Sequence, residues 1–170
     1  MTDTTKPHFY RVPRLDHLED IEKYRPGGYH PVNLDDILDG KYKVIHKLGH
    51  GGFATIWLAR VLQDNRYVAL KILTANASNQ ELTILTYLRD HGANHCNIAC
   101  LRNAFTIRGP NGLHQCLVLD FVGPSLKQIA NGKHNISGLI ARNAARQVTE
   151  GLAHLHSTGL CHGGKTLLMP

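Results

Sequence analysis

The residues best suited to chemistry are a cluster of glycines and a lysine that follows them along the chain. Residues 48–59 read LGHGGFATIWLA and include Gly49, Gly51 and Gly52. Because glycine has no Cβ, its backbone can approach phosphate oxygens closely and turn free amides toward their charge. The segment VALK ends at Lys71, whose ammonium would neutralise part of that charge. The pattern therefore predicts a phosphate-binding turn with a lysine set against it.

A dinucleotide-binding turn is the main alternative interpretation, since the glycines and Ala54 also fit the looser G-x-G-x-x-A fingerprint. That site needs a helix directly after the glycines and an acidic residue about twenty positions further on. Instead the run ATIWLARV predicts a strand, and Lys71 stands where the acid would lie. A plain hairpin turn and a surface lysine would explain each feature alone, but not their order along the chain.

The position of Lys71 on a strand gives it a small neighbour. Side chains alternate between the faces of a strand, so Ala69 and Lys71 share one face. Ala69 leaves room there for a flat base, while Lys71 reaches toward phosphates. Glu81 is the third candidate, because it either closes a capping box with Ser78 or pairs with Lys71. We predict the ion pair, which Glu81 would be free to form if the helix began at residue 75 or 76 and made it interior.

Strands must position the glycines and the lysine. In KYKVIHKL, Tyr42, Val44 and His46 repeat at every second position, which predicts a strand. Two further strands complete a meander over residues 41–73, and residues 101–108 and 113–120 flank a Gly-Pro-Asn-Gly hairpin turn. The sequence therefore predicts a five-stranded antiparallel sheet.

Two helices complete the predicted elements. The first opens at Ser78 and presents Leu82, Leu85 and Leu88 at helical spacing. The second is a long amphipathic helix from Gly138 to about His156 that stops before Gly159; its apolar face is made of Ile140, Ala144, Val148, Leu152 and Leu155. One helix after the third strand and a helical segment at the end indicate an α+β fold.

Composition excludes several classes of function. The 19 Lys and Arg residues outnumber 13 Asp and Glu for a net charge of +6, but the basic residues are scattered, so we expect no direct nucleic-acid binding. The first ten residues contain no apolar h-region, so we expect no signal peptide, and no apolar stretch is long enough for a membrane span. Cysteine spacing fits no secreted framework, so we expect the cytoplasm or nucleus. His91, His95, Cys96 and Cys100 lack zinc-site spacing, and we expect no metal there.

The order of glycine turn, strand lysine and helix glutamate resembles the small lobe of protein kinases. Residues 24–31, YRPGGYHP, make the resemblance more specific. This stretch is similar to the corresponding sequence of SR-protein (Ser/Arg-rich protein) kinases, particularly their divergent fungal relatives. Residues 109–126, GPNGLHQCLVLDFVGPSL, are also similar to that group. The resemblance implies a leader over residues 1–34, a kinase N-lobe over 35–122, and the first part of a truncated C-lobe over 123–170.

The resemblance also implies a binding site for ATP, with Mg²⁺ as the family's usual metal. Lys71 would contact the phosphates and Glu81 would orient it, while Leu119 would be the gatekeeper beside the adenine. The hinge that meets the adenine would run from Asp120 to Val122. The residues expected to roof the nucleotide are Leu48, Gly49, Gly51, Gly52, Phe53 and Ile56.

The last residues depart from the family. Residues 161–169, CHGGKTLLM, align with a catalytic loop that in these kinases reads C-H-G-D-L-T-L-x-N. Gly164 stands at the position of the catalytic aspartate, Lys165 at that of the leucine, and Met169 at that of the metal-binding asparagine. The chain ends at Pro170, so we also expect it to lack the Asp-Phe-Gly aspartate and the large lobe. No catalytic residue is then intact.

Two functional classes therefore stay open. The chain is either part of an ATP-dependent Ser/Thr kinase whose substrates, by resemblance alone, are Ser/Arg-rich proteins, or a non-catalytic, pseudokinase-like fragment that binds nucleotide or protein. In either case the apolar face of the long helix is expected to be exposed, with marginal stability or a need for a partner.

Overall fold

The structure, a computed structural model, describes residues 19–91, 96–123, 125–126 and 137–161. It is an α+β fold in which an antiparallel sheet of six strands carries one helix, with a second, longer helix beyond the sheet. A single 3₁₀ turn at Ile21–Lys23 precedes the sheet. The strands and helices in chain order are β1 (Ile37–Leu38), β2 (Tyr42–Gly51), β3 (Ala54–Val61), β4 (Tyr67–Leu73), α1 (Gln80–Asp90), β5 (Leu101–Gly109), β6 (Gly112–Asp120) and α2 (Gly138–Ser157).

The strands lie in the order β1-β2-β3-β4-β6-β5, and every neighbouring pair is antiparallel. The predicted meander and the Gly109–Gly112 hairpin are both present. The prediction of five strands was one short, because β1 is a two-residue edge strand with no periodicity to reveal it. It is joined to β2 by a tight turn in which Asp39 and Gly40 have φ of 51° and 62°.

The core lies on one face of the sheet. Trp57 pairs with Leu70, and Leu70 pairs with Val118, so their side chains share that face and are almost completely buried. The further members of this cluster are Tyr42, Val44, Ala59, Val68, Ile72 and Cys116. Burying this contiguous apolar surface is the main stabilising contribution of the sheet.

The predicted alternation of β2 fails at His46. Tyr42 and Val44 are buried as expected, whereas His46 is exposed. A shift in the β2–β3 register between Val44 and His46 is a bulge, which ends the period of two and turns the following side chains. The sequence carries no glycine at this point to mark the bulge.

Helix α1 begins later than predicted. It starts at Gln80, after Asn79 as N-cap, and no side chain caps it. The capping box between Ser78 and Glu81 is therefore absent, and so is the earlier start near residue 75. Of its predicted apolar positions, Leu88 is buried, while Leu82 and Leu85 are half-buried.

The bounds of helix α2 agree with the prediction, but its apolar face is less exposed than expected. The Ser137 hydroxyl accepts a hydrogen bond from the Ile140 amide at 3.4 Å, and Gly159, with a φ of 79°, follows the C-terminus. Four residues of the predicted apolar face are half-buried, and Ile140 is 48% exposed. Gly151 faces the backbone of Asn97 at a distance that leaves little room for a side chain. Neither described helix is long and apolar enough to cross a membrane.

Replacing Leu70 by alanine tests this core. Leu70 is fully buried, so we expect Leu70→Ala to lower the free energy of unfolding by about 2–5 kcal/mol through lost burial and the cavity it leaves. Leu113→Ala is the matched control, because Leu113 is 55% exposed and should change stability by less than about 0.5 kcal/mol. Urea unfolding measures both, and equal losses would contradict the placement of the core.

Candidate functional site

The register of three strands aligns the glycine turn with the lysine. Gly49 pairs with Ile56, and Ile56 pairs with Lys71. Directly paired residues of antiparallel strands share a face, so Ile56 and Lys71 project from the same side. This side is opposite the core cluster, because Lys71 and its core neighbour Leu70 are consecutive on β4. The lysine therefore lies on the face opposite the core cluster, one strand away from the glycine turn.

Lys71 and Glu81 form the predicted contact. The Lys71 Nζ atom lies 2.6 Å from Glu81 Oε1. Their side chains retain 27% and 38% of their exposure, so the pair contributes at most about 1 kcal/mol to stability. Glu81 reaches Lys71 from the first turn of α1. The interaction fixes the position of the ammonium, which is its main consequence.

Ala69 and Leu119 are brought together beside the lysine. Ala69 pairs with Leu58 on one side and Leu119 on the other, all on the Lys71 face. Ala69 is buried and Leu119 is half-buried. A small residue between two larger ones is the arrangement that the predicted base position requires.

The end of β6 carries an interaction that the sequence did not reveal. Arg102 donates two hydrogen bonds to the Asp120 carboxylate, at 2.7 and 2.9 Å. This bidentate pair fixes the side chain of Asp120 on the surface, and the predicted hinge role concerns its backbone. Phe121 and Val122, which follow, are 46% and 57% exposed. Only the antiparallel pairing of β5 and β6 brings Arg102 and Asp120 together.

The three glycines of the turn are not required by the fold. None of Gly49, Gly51 and Gly52 has a positive φ, and a Cβ added to any of them would meet no atom of the described residues within 4 Å. Gly28 differs, because a Cβ there would overlap the Lys23 carbonyl. Open space above a glycine backbone is what a closely approaching ligand needs.

The remaining roof residues are exposed around the turn. Phe53 lies at its tip and is 75% exposed, Leu48 is 38% exposed, and Ile56 is half-buried. The Thr74 amide donates a hydrogen bond to the Phe53 carbonyl at 2.9 Å, so the end of β4 holds the tip. The roof is thus built from β2, β3 and one backbone contact to β4.

Lys47, on β2 just before the turn, belongs to a polar cluster that the sequence analysis missed. It forms an ion pair with Glu19 and lies 5.0 Å from the centre of the Trp57 ring. The Tyr24 hydroxyl donates to the Glu19 carboxylate at 2.8 Å. Partial burial alone would raise the pKa of Glu19, but the hydrogen bonds from Lys47 and Tyr24 outweigh it and lower this pKa to about 2.

Four positions that the sequence singles out, Gly164, Lys165, Met169 and His95, lie outside the described residues. Within the described ranges, no group of three or more His, Cys, Asp or Glu side chains is placed to hold a metal ion. A cavity of about 220 Å³ lies away from Lys71, between residues 23–28 and the turn tip at Gly52 and Phe53.

An antiparallel sheet with a glycine turn, a strand lysine and a paired helix glutamate defines the small lobe of a protein kinase. The sequence profile of the protein kinase domain matches residues 42–163, so the chain belongs to the protein kinase family. The crystal structure of a kinase domain superimposes on it with a TM-score of 0.66 at 22% identity, covering 78% of this chain and 40% of the other. That likeness concerns the fold alone.

Within the family, the chain is similar to SR-protein kinases. It is 38% identical to the human SRSF protein kinase 3 over 151 residues, which are 82% of this chain and 26% of the relative. It is 37% identical to serine/threonine-protein kinase spk-1 of Caenorhabditis elegans over 85% of this chain and 16% of the relative. For the Saccharomyces cerevisiae kinase SKY1, identity is 34% over 85% of this chain and 21% of the relative. The aligned part of the chain thus covers 16–26% of the length of these relatives.

Alanine substitutions at Gly51 and Gly28 distinguish a glycine that the fold does not require from one that it does. Because a Cβ at Gly51 would meet open space, we expect Gly51→Ala to leave stability unchanged or raise it by up to about 1 kcal/mol. Gly28→Ala is the comparison, since its Cβ overlaps a backbone carbonyl and should cost about 1–3 kcal/mol. Thermal unfolding distinguishes them; a destabilised Gly51→Ala would show that the fold itself requires this glycine.

The Glu19 cluster predicts an acid-sensitive part of the stability. The pKa of Glu19 falls from 4.5 to about 2 on folding, so its contribution is complete above pH 4.5 and is lost as the pH falls toward 2. We expect wild type to exceed Glu19→Gln by up to about 1 kcal/mol at neutral pH, or roughly 2–4 °C in Tm. Melting curves between pH 7 and 2.5 measure the difference; one that stays constant would exclude Glu19 as its source.

Proposed function

We propose that this chain is the ATP-binding part of a Ser/Thr protein kinase related to the SR-protein kinases. The observation that carries the proposal is the 2.6 Å contact between Lys71 and Glu81, one strand away from glycines whose Cβ positions are open. A fixed ammonium beside free backbone amides is suited to the negative charge of a triphosphate. Residues 35–122 would form the nucleotide-binding lobe and residues 123–170 the start of the next lobe.

Each predicted residue would then have a part in holding ATP. The amides of Gly51 and Gly52 would face the phosphates, and Lys71 would neutralise their charge. The adenine would lie against Ala69. Leu119 would lie beside the adenine, and the backbone from Asp120 to Val122 would contact its edge. The exposed Phe53 and Leu48 would exclude water above the nucleotide. Ile56 would support them from β3.

Phosphoryl transfer is a separate matter from binding. Gly164 and Met169 replace the aspartate and asparagine that the family's catalytic loop supplies, and a protonated Lys165 cannot accept a proton at neutral pH. Loss of a positioned general base alone typically costs about 10²–10⁴-fold in rate. We therefore propose ATP binding without efficient transfer for the chain as its sequence stands.

The same two replacements favour a second candidate, a non-catalytic pseudokinase-like protein that binds nucleotide or another protein. Intact mass of the native product and sequencing of its transcript separate the two functions. A transcript that encodes aspartate in place of Gly164 supports the active kinase, whereas a product matching the present sequence supports the second candidate.

The name of one relative supports a proposal for the substrate class, and the cysteines support one for the compartment. Human SRSF protein kinase 3 is named for its SRSF substrates, and we propose Ser/Arg-rich proteins as the substrate class of the kinase to which this chain corresponds. We propose the cytoplasm or nucleus as the compartment, because the cysteine spacing fits no secreted disulfide framework.

Thermal shift with ATP tests the proposal. At about 100 times its Kd, a ligand stabilises by about 2.7 kcal/mol, so the Tm of the wild-type chain should rise by roughly 5–10 °C. Lys71→Met should abolish most of this rise because the ammonium is lost. Lys43→Met is the matched control, since Lys43 also lies on a strand and pairs with a carboxylate, that of Asp35 at 2.8 Å. No rise in wild type, or equal rises in all three, would refute nucleotide binding at Lys71.

A further inference from the structure

Residues 19–31, here called the N-terminal brace, carry the YRPGGYHP wording that the nucleotide site does not use. The brace packs on the sheet face opposite Lys71. His30 is 9% exposed, and its ring centroid lies 4.9 Å from that of His114 on β6. His114 lies two and four residues before the core residues Cys116 and Val118 on β6, so its side chain is on the same face of the sheet as theirs. Gly109 leaves room for the His30 ring, which a Cβ there would overlap.

The brace is also bound to the loop between β4 and α1. The Ala75 amide donates to the Gly28 carbonyl at 3.1 Å, and the Asn76 amide donates to the Gly27 carbonyl at 3.0 Å. This loop joins the strand of Lys71 to the helix of Glu81. The brace therefore contacts the segment that sets the separation of the ion pair.

The two glycines of the brace are required by this docking. Gly27 has a φ of 85°, and a Cβ on it would overlap the Asn76 side chain. A Cβ on Gly28 would overlap the Lys23 carbonyl. The brace also contacts the β5–β6 turn. There the Asn111 carbonyl accepts a hydrogen bond from the Gly27 amide at 2.8 Å, and the Asn111 side-chain amide donates one to the Tyr29 carbonyl at 2.7 Å. The brace is thus held in one position by backbone and side-chain bonds.

Tyr29 extends from this fixed segment to the glycine turn. Its hydroxyl donates a hydrogen bond to the Gly51 carbonyl at 2.6 Å, and the residue is 2% exposed. The Tyr24 ring packs edge-on against it at 5.5 Å. Burial raises the pKa of Tyr29, with Glu19 adding to the effect, so the hydroxyl stays protonated and able to donate.

Because the peptide bond is planar, the hydrogen bond from Tyr29 to the Gly51 carbonyl also restrains the Gly52 amide. The Gly51 carbonyl and the Gly52 N–H belong to one planar trans peptide, and they point in opposite directions. Since the Tyr29 hydroxyl binds the Gly51 carbonyl, the Gly52 N–H is directed away from Tyr29. Glycine backbones without such a constraint sample many orientations.

We propose that Tyr29 is a positioning residue that aims the Gly52 amide at the phosphates of the bound nucleotide. The inference depends on the proposed nucleotide binding, because that function supplies the phosphate. Tyr29 does not contact the ligand and acts through the Gly51 carbonyl alone. The brace would thereby preorganise the turn before ATP arrives, which lowers the entropic cost of binding.

Removing one hydroxyl tests the proposal in the full 170-residue chain. Tyr29→Phe keeps the buried ring and loses the bond to Gly51. We expect it to weaken ATP and ADP binding roughly 2- to 10-fold, the range of one hydrogen bond, and to leave adenosine binding unchanged, because adenosine has no phosphate. Calorimetric titration measures all three ligands. Unchanged ATP affinity, or an equal loss for adenosine, would overturn the proposal.

Tyr42→Phe is the matched control. The Tyr42 hydroxyl is also bound within the fold, to the Asn103 amide at 3.1 Å, but Tyr42 lies at the other end of β2 from the turn. It should lower stability slightly and leave the ratio of ATP to adenosine affinity at the wild-type value. A change in that ratio as large as that of Tyr29→Phe would show a general effect of tyrosine loss and contradict the proposal.

Amide hydrogen exchange in the ligand-free chain keeps this inference separate from the proposed function. We expect the Gly52 and Phe53 amides to exchange faster in Tyr29→Phe than in wild type or Tyr42→Phe, at a temperature where all three are folded. Equal exchange rates would overturn the proposal that Tyr29 positions the turn, whether or not the chain binds ATP. If exchange is faster but wild type binds no ATP, the proposed function fails while the control of the turn by Tyr29 stands.

Discussion

A slip of one residue between β3 and β4 would carry Lys71 from one face of the sheet to the other, because strand side chains alternate. The register is therefore the constraint on which the candidate site depends. It is fixed from the opposite face, where Trp57, Leu70 and Val118 form one buried row. The core and the site lie on opposite faces of the same paired strands. Core substitutions that shift the register would therefore also move the lysine.

Much of this architecture follows from short-range patterns. The strand around VALK puts Ala69 and Lys71 on one face by alternation alone, and Gly109 and Gly112 bracket a tight turn that any hairpin of this kind needs. Helix α2 is delimited by a serine cap and a left-handed glycine, both readable from the sequence. The pairing of Lys71 with Glu81 is also found, although it was expected from a longer helix than α1.

What the sequence could not supply depends on contacts between distant residues. The two-residue strand β1 exists only because β2 offers it a partner, and His46 is turned out by a bulge that no residue type announces. The Arg102–Asp120 pair needs the register of β5 and β6. The docking of residues 19–31 joins three parts of the fold, and the pattern in YRPGGYHP identifies relatives without indicating what each residue touches.

The bond between Asn111 and the Tyr29 carbonyl spans 82 residues of sequence, and this separation has a consequence for folding order. Closing so long a loop costs chain entropy before any contact compensates for it. The β2–β3–β4 meander and the β5–β6 hairpin close far shorter loops and can form first. The N-terminal segment then has a surface to dock on only after the hairpin is in place. The glycine turn would acquire its final shape as one of the last events in folding.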